Sequence, residues 1–257
     1  MTWRRLRIAL LLMILLIVGL STWLDRVYTT DWTTPLGVAL HPISADDSPI
    51  SRAYVAALAT ADFADIEKFF GDEARHHGVT LDEPVRLWLA APPESRPPLV
   101  EPGASVLEAM AYALRLRWHA WRTLSGQPGP TPHVRMYLLY HDPAVTPLVP
   151  HSLGLARGLI GVVHLFAARE MHGSNQVVLA HEILHTLGAT DKYRLADGQP
   201  LHPDGFAEPG RQPLYPQSHA EVMGGRIPLS DDEAMIPASL DAVVVGHLTA
   251  REIRWLP

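Results

Sequence analysis

The run His181-Glu182-Ile183-Leu184-His185 carries the most definite chemistry in the chain. On a helix, two histidines at this spacing project from one face, one turn apart. Both imidazoles can then reach a single zinc ion at about 2.0–2.1 Å. Glu182 points toward the open side of such an ion, where it can take a proton from a water that zinc acidifies. That water can attack a polarised carbonyl carbon, and Glu182 can pass the proton on to the leaving amine. Two protein ligands are one short of a catalytic zinc site. Asp191 is the best candidate for the third. Gly188 can adopt a left-handed conformation, end the helix and turn the chain so that position 191 swings back toward the histidines. The expectation is therefore His181, His185 and Asp191 as zinc ligands with Glu182 as general base. The competing reading is a surface helix with two unliganded histidines, which a content of 14 histidines makes less improbable.

These residues need a helix and a scaffold. Ser174 can cap a helix over 175–187, with Gly188 at its end. Upstream, 36–40, 85–90, 134–140 and 159–167 read as strands, and 51–70 and 105–124 as helices, the first stopped by Gly71. The prolines at 92, 93, 97 and 98 mark a loop. Residues 192–217 read as a long irregular loop, and 240–255 as a helical region with a break near 246–249. This order of elements predicts an α+β or α/β fold, a mixed sheet flanked by helices. No internal repeat is visible.

The pattern HExxHxxGxx followed by a ligand resembles the signature of the metzincin clan of zinc proteases. Most members carry histidine at the last position. The form with Asp191 looks like the snapalysin group and the immune-inhibitor-A-like peptidases, and Asp191-Lys192-Tyr193 is similar to the DxY of some of them. The resemblance implies a zincin-like α+β domain with a methionine turn beneath the metal. Glu221-Val222-Met223-Gly224-Gly225 fits that turn, with Met223 as the methionine; a plain core methionine is the alternative. A phenol at Tyr193 near the zinc could stabilise an oxyanion, with a structural, hydrogen-bonded tyrosine as the equal alternative. In such proteins the strand before the active-site helix is a sheet edge that pairs with extended substrate, which would be 159–167 here. The loop 192–220 would form part of a cleft wall. His164 reads as structural, and His202 and His219 as minor candidates for ligation.

Composition narrows the function classes. With 47% hydrophobic and 19% charged residues the chain can build a packed body. A net charge of -6 with no long basic run argues against nucleic acid as a partner. The absence of cysteine excludes disulfides, thiolate ligands and a cysteine nucleophile. No loop has the ligand spacing of a calcium site. Arg4, Arg5 and Arg7 precede an apolar stretch over 8–24, with Trp23 suited to an interface. Residues 1–26 are expected to form an N-terminal membrane anchor, or alternatively a signal peptide, with 27–35 a linker and 36–257 the metallopeptidase domain. The arginines stay in the cytoplasm and the domain lies outside it, periplasmic or at the cell surface. In the alternative the protein is secreted.

The main expectation is a zinc endopeptidase acting on an extracytoplasmic polypeptide. A thermolysin-type peptidase with a downstream glutamate ligand, Glu208 or Glu221, is a second. A membrane-tethered, non-catalytic zinc-binding or interaction domain is a third.

Overall fold

The computed structural model describes residues 29–93, 95–99, 105–124, 130–150, 152–155 and 159–257, with scattered positions among 3–19. The stretch 8–24, read above as an anchor, falls largely outside them. Among the described residues no helix is long and apolar enough to cross a membrane, so the anchor stays a reading of the sequence.

The elements follow in the order β1 (Leu36–Ser44), α1 (Pro49–Ala57), α2 (Ala64–His76), β2 (Val85–Leu89), α3 (Val106–Leu124), β3 (Val134–His141), β4 (Leu153–Leu155), β5 (Ile160–Phe166) and α4 (His172–Leu187). Short pieces close the chain: β6 (Ala220–Glu221), β7 (Ile227–Pro228), β8 (Ala234–Met235), β9 (Val243–Val244) and α5 (His247–Glu252). The main sheet has the order β2-β1-β3-β5-β4. β1, β2, β3 and β5 run parallel, and β4 is antiparallel on the edge beside β5. The fold is thus a mixed α/β one, a four-strand parallel sheet with flanking helices.

Strand alternation explains the two cores. Leu36, Val38 and Leu40 of β1, Val134, Met136 and Leu138 of β3, and Val163 and Leu165 of β5 face one side, where α2 and α4 cover them. Tyr137, Leu139, Ile160 and Val162 face the other, covered by Tyr112, Leu116 and Ala120 of α3. Parallel crossovers are right-handed. The chain steps one way from β1 to β2 and the other way from β2 to β3, so α1 and α2 fall on one face and α3 on the opposite one.

Five sequence expectations need correction. The helical region read over 240–255 holds the short strand β9, and its only α-helix is the six residues of α5. The helix read over 51–70 is two helices. Leu58 and Ala59 are extended, and the Asp62 carboxylate accepts the Ala59 N–H at 2.7 Å, starting a fresh turn. Gly71 does not stop α2, because it packs inside the helix where a Cβ would lie 3.4 Å from the Asp82 carbonyl. Ser174 does not cap α4: the helix begins at His172, and the Ser174 hydroxyl donates to the Met171 carbonyl at 3.0 Å. Strand β5, expected at the edge, is interior, paired to β3 on one side and β4 on the other. A three-residue strand leaves too short a pattern to read.

Candidate metal centre

Helix α4 is fixed at its start by Asn175, whose side chain accepts the Phe166 N–H at 3.1 Å and donates to the Phe166 carbonyl at 2.8 Å. This ties the first turn of α4 to the end of β5. Ala180, Ile183, Leu184 and Leu187 bury the inner face. The opposite face carries His181 and His185, with ring centroids 4.6 Å apart. Ligand atoms of His181, Glu182 and His185 lie within 4.8 Å of one another, and this group could hold a metal ion.

Gly188 ends the helix in the left-handed region, at φ 104°. The turn it makes serves the site twice. The Ala189 carbonyl accepts a hydrogen bond from His185 Nδ1 at 2.8 Å. Two residues on, Asp191 Oδ1 sits 3.1 Å from His181 Nε2 and 3.1 Å from His185 Nε2. On the far side, His181 Nδ1 donates to the Val222 carbonyl at 2.9 Å. Each imidazole therefore has its Nδ1 proton committed to a carbonyl. In the neutral form this leaves both Nε2 lone pairs directed at the same carboxylate oxygen.

Three acceptors meeting this closely attract positive charge, either a proton on one imidazole or a metal ion held between them. Tetrahedral ligands at zinc-like bond lengths lie about 3.3 Å apart, so the spacing fits a metal. Charge points the same way. Burial opposes a charge on His181, but Asp191, Glu182 and the Val222 carbonyl outweigh it and raise its pKa. Burial would likewise raise the pKa of Asp191, yet the two imidazoles hold it well below the usual carboxylate range.

The supporting structure comes from distant chain. Met223 is fully buried. Its carbonyl accepts the Lys192 N–H at 2.9 Å, while the preceding carbonyl holds His181. The turn over 221–225 thus grips both the histidine and the segment bearing Asp191. Glu221 fixes the turn. Its buried carboxylate accepts from Gly224 N at 2.8 Å, Gly246 N at 3.0 Å and Thr249 Oγ1 at 2.6 Å. Burial pushes the pKa of Glu221 up, against those bonds and Lys192. Lys192 is almost wholly buried. Its ammonium donates to Glu252 at 2.7 Å and to the Thr190 carbonyl at 2.9 Å. Glu252 also accepts Thr190 N at 3.0 Å and Thr190 Oγ1 at 2.6 Å. Asp191 is therefore carried between two residues clamped to α5.

Tyr193 is half-buried, its ring centroid 6.3 Å from that of His181. Burial and the nearby Asp191 charge push its pKa up to about 12. The other sequence candidates lie elsewhere. His164 bonds His141 at 2.9 Å within the sheet. His202 donates to the Pro209 carbonyl at 3.1 Å, and His219 pairs with Ser218 at 2.9 Å. Glu208 accepts from Ser218 and Arg211. With Glu221 committed to the turn, neither glutamate of the thermolysin-type reading joins the cluster.

Sequence reasoning missed Lys192, Thr190 and Glu252. A lysine between two residues singled out for chemistry gave no sign of being buried, and nothing local connects it to a glutamate on the last helix. No protein-family model matches the chain, and no curated protein shows significant similarity to it.

Proposed function

We propose that the protein is a zinc-dependent endopeptidase of the metzincin type, with His181, His185 and Asp191 as ligands and Glu182 as general base. The observation that carries this is the meeting of two tautomer-fixed imidazoles and one carboxylate oxygen, with 3.1 Å from each Nε2 to Asp191 Oδ1. Two nitrogens and one oxygen make a donor set that suits zinc.

When bound, zinc supplies Lewis acidity toward a carbonyl oxygen and a water. The chain's own residues do the rest. The carbonyls of Val222 and Ala189 keep the imidazoles in the ligating tautomer. Glu182, buried beside them, accepts the proton of the attacking water and returns it to the leaving amine nitrogen. Tyr193, a phenol kept protonated by its surroundings, is a donor for negative charge developing on the carbonyl oxygen. Met223 supports the histidines by packing, as the methionine of the turn. Extended substrate would pair along β4, the edge strand beside β5. The apolar stretch 8–24 would hold the domain on the extracytoplasmic side of a membrane, and this rests on the sequence pattern alone.

Purified full-length protein and Glu182→Gln, each assayed for bound zinc and for cleavage of an unfolded protein substrate, test the reading. Equal zinc content with turnover reduced by about 10² to 10⁴ in the variant is expected. Equal turnover, or none in either protein despite bound zinc, overturns it.

A further inference from the structure

Helix α3 presents an unusual outer surface. Tyr112, Leu116 and Ala120 face the sheet, which uses up the inner side. The outer side carries Leu107, Met110, Leu114, Trp118 and Trp121, each 59% to 77% exposed. Their spacing of three and four residues draws them into one stripe along the helix, within roughly 80° of arc. At its end the two indoles lie against each other, centroids 4.9 Å apart. Arg115 and Arg122 flank the stripe on one side and Arg117 on the other. Among the described residues none of the three forms an ion pair. The only carboxylate on the helix is Glu108, bound to Ser105 at the N-terminal cap. A soluble helix normally turns polar residues outward. This one turns out a long apolar band bordered by cations, in a chain whose net charge is -6.

We propose that the outer face of α3 lies on the surface of an anionic lipid bilayer, the stripe entering the headgroup–acyl boundary and the three arginines meeting lipid phosphates. Leucine, methionine and tryptophan against arginine is the chemistry of an interfacial helix. Two further features fit. A helix joining parallel strands runs antiparallel to them, so Trp118 and Trp121 lie toward the sheet end where β1 begins. The chain enters β1 at that end. The apolar stretch stops at Leu24, and the five residues from there to Thr29 span at most about 18 Å. With that stretch as an anchor, as the sequence reading has it, the domain would meet the bilayer with that end. The inference is independent of the peptidase reading and adds a docking orientation to it.

The chain has no cysteine, so one introduced residue reports on one place. Full-length Leu114→Cys, labelled with a polarity-sensitive fluorophore, is reconstituted into vesicles of phosphatidylcholine or of an equimolar mixture with phosphatidylglycerol. Asp65→Cys on α2, across the sheet, is the control. A quencher carried by the lipid should act about threefold more strongly, or better, on the label at 114 than at 65, in anionic vesicles only. Replacing Trp118 and Trp121 by glutamine, or the three arginines by glutamine, should abolish the difference; these side chains are on the surface, and thermal unfolding checks that the fold survives. Equal quenching at 114 and 65, or quenching at 114 that ignores phosphatidylglycerol, overturns the proposal. A label shielded without lipid, increasingly so at higher protein concentration, overturns it in favour of a second copy of the chain.

Discussion

Replacing Glu252 by glutamine should loosen the proposed metal centre without touching a proposed ligand. Glu252 neutralises Lys192, whose side chain is 3% exposed while that of Glu252 is 20% exposed. Breaking a buried ion pair by removing one partner costs about 3–5 kcal/mol, since the other charge is left uncompensated. Water can reach Glu252, and glutamine keeps one acceptor for Thr190, so the loss should be nearer 2–3 kcal/mol. In a chain of this size that is a fall of about 5–10 °C in Tm. Thr190 and Lys192 flank Asp191, so zinc affinity should drop about tenfold or more, as it does when groups that orient ligands are lost. Chemical denaturation and competition with a chromophoric chelator read the two quantities. Adding Lys192→Met removes the stranded ammonium and should restore stability to within about 1 kcal/mol of the parent, but not the affinity. If Glu252→Gln changes stability by less than about 0.5 kcal/mol and leaves zinc affinity unchanged, the clamp does not position Asp191.

Three further outcomes follow from the same geometry. Asp191→Ala should leave the fold intact by circular dichroism but weaken zinc binding at least a hundredfold by chelator competition, about the upper limit for losing a supporting group; unchanged affinity would mean that another residue completes the site. Gly224→Ala should destabilise by about 1–3 kcal/mol in denaturant melts, because a Cβ there would lie 2.4 Å from the Gly205 carbonyl oxygen. Burial, with the neighbouring His141, lowers the pKa of His164 to about 4. The unfolded chain takes up this proton as pH falls below about 6.5 while the folded one resists, so stability present above that pH is lost on the way down to 4, by up to about 3 kcal/mol. His164→Gln should flatten that part of the stability–pH curve.

The cluster of candidate ligands was legible because it is local. His181, His185, Gly188 and Asp191 lie within one helix end and one turn, where periodicity and the conformational freedom of glycine act over a few residues. Strands β1, β2, β3 and β5 announced themselves as apolar runs. The pieces that escaped are those fixed by distant partners. Leu153–Leu155 is a strand only because β5 offers its edge. Glu221 looked like a possible ligand because its three bonds come from Gly224, Gly246 and Thr249, a set that no window around position 221 contains. The break before α2 could have been found, since Asp62 stands three residues beyond Ala59 in a capping position. The apolar stripe on α3 escaped as well, because periodicity alone does not tell which of two apolar faces turns inward.

On the proposed reading, the bond from His181 to the Val222 carbonyl makes metal occupancy a property of the last quarter of the molecule. Whatever free energy the ion contributes is partly spent on keeping the 221–225 turn closed, and through Glu221 on keeping α5 docked. At an ion concentration a hundred times the dissociation constant, this linkage is worth about 2.7 kcal/mol. On that reading, scarcity of the metal would expose the C-terminal segment to proteolysis before it unfolded the sheet, so that the protein's lifetime would follow the metal supply.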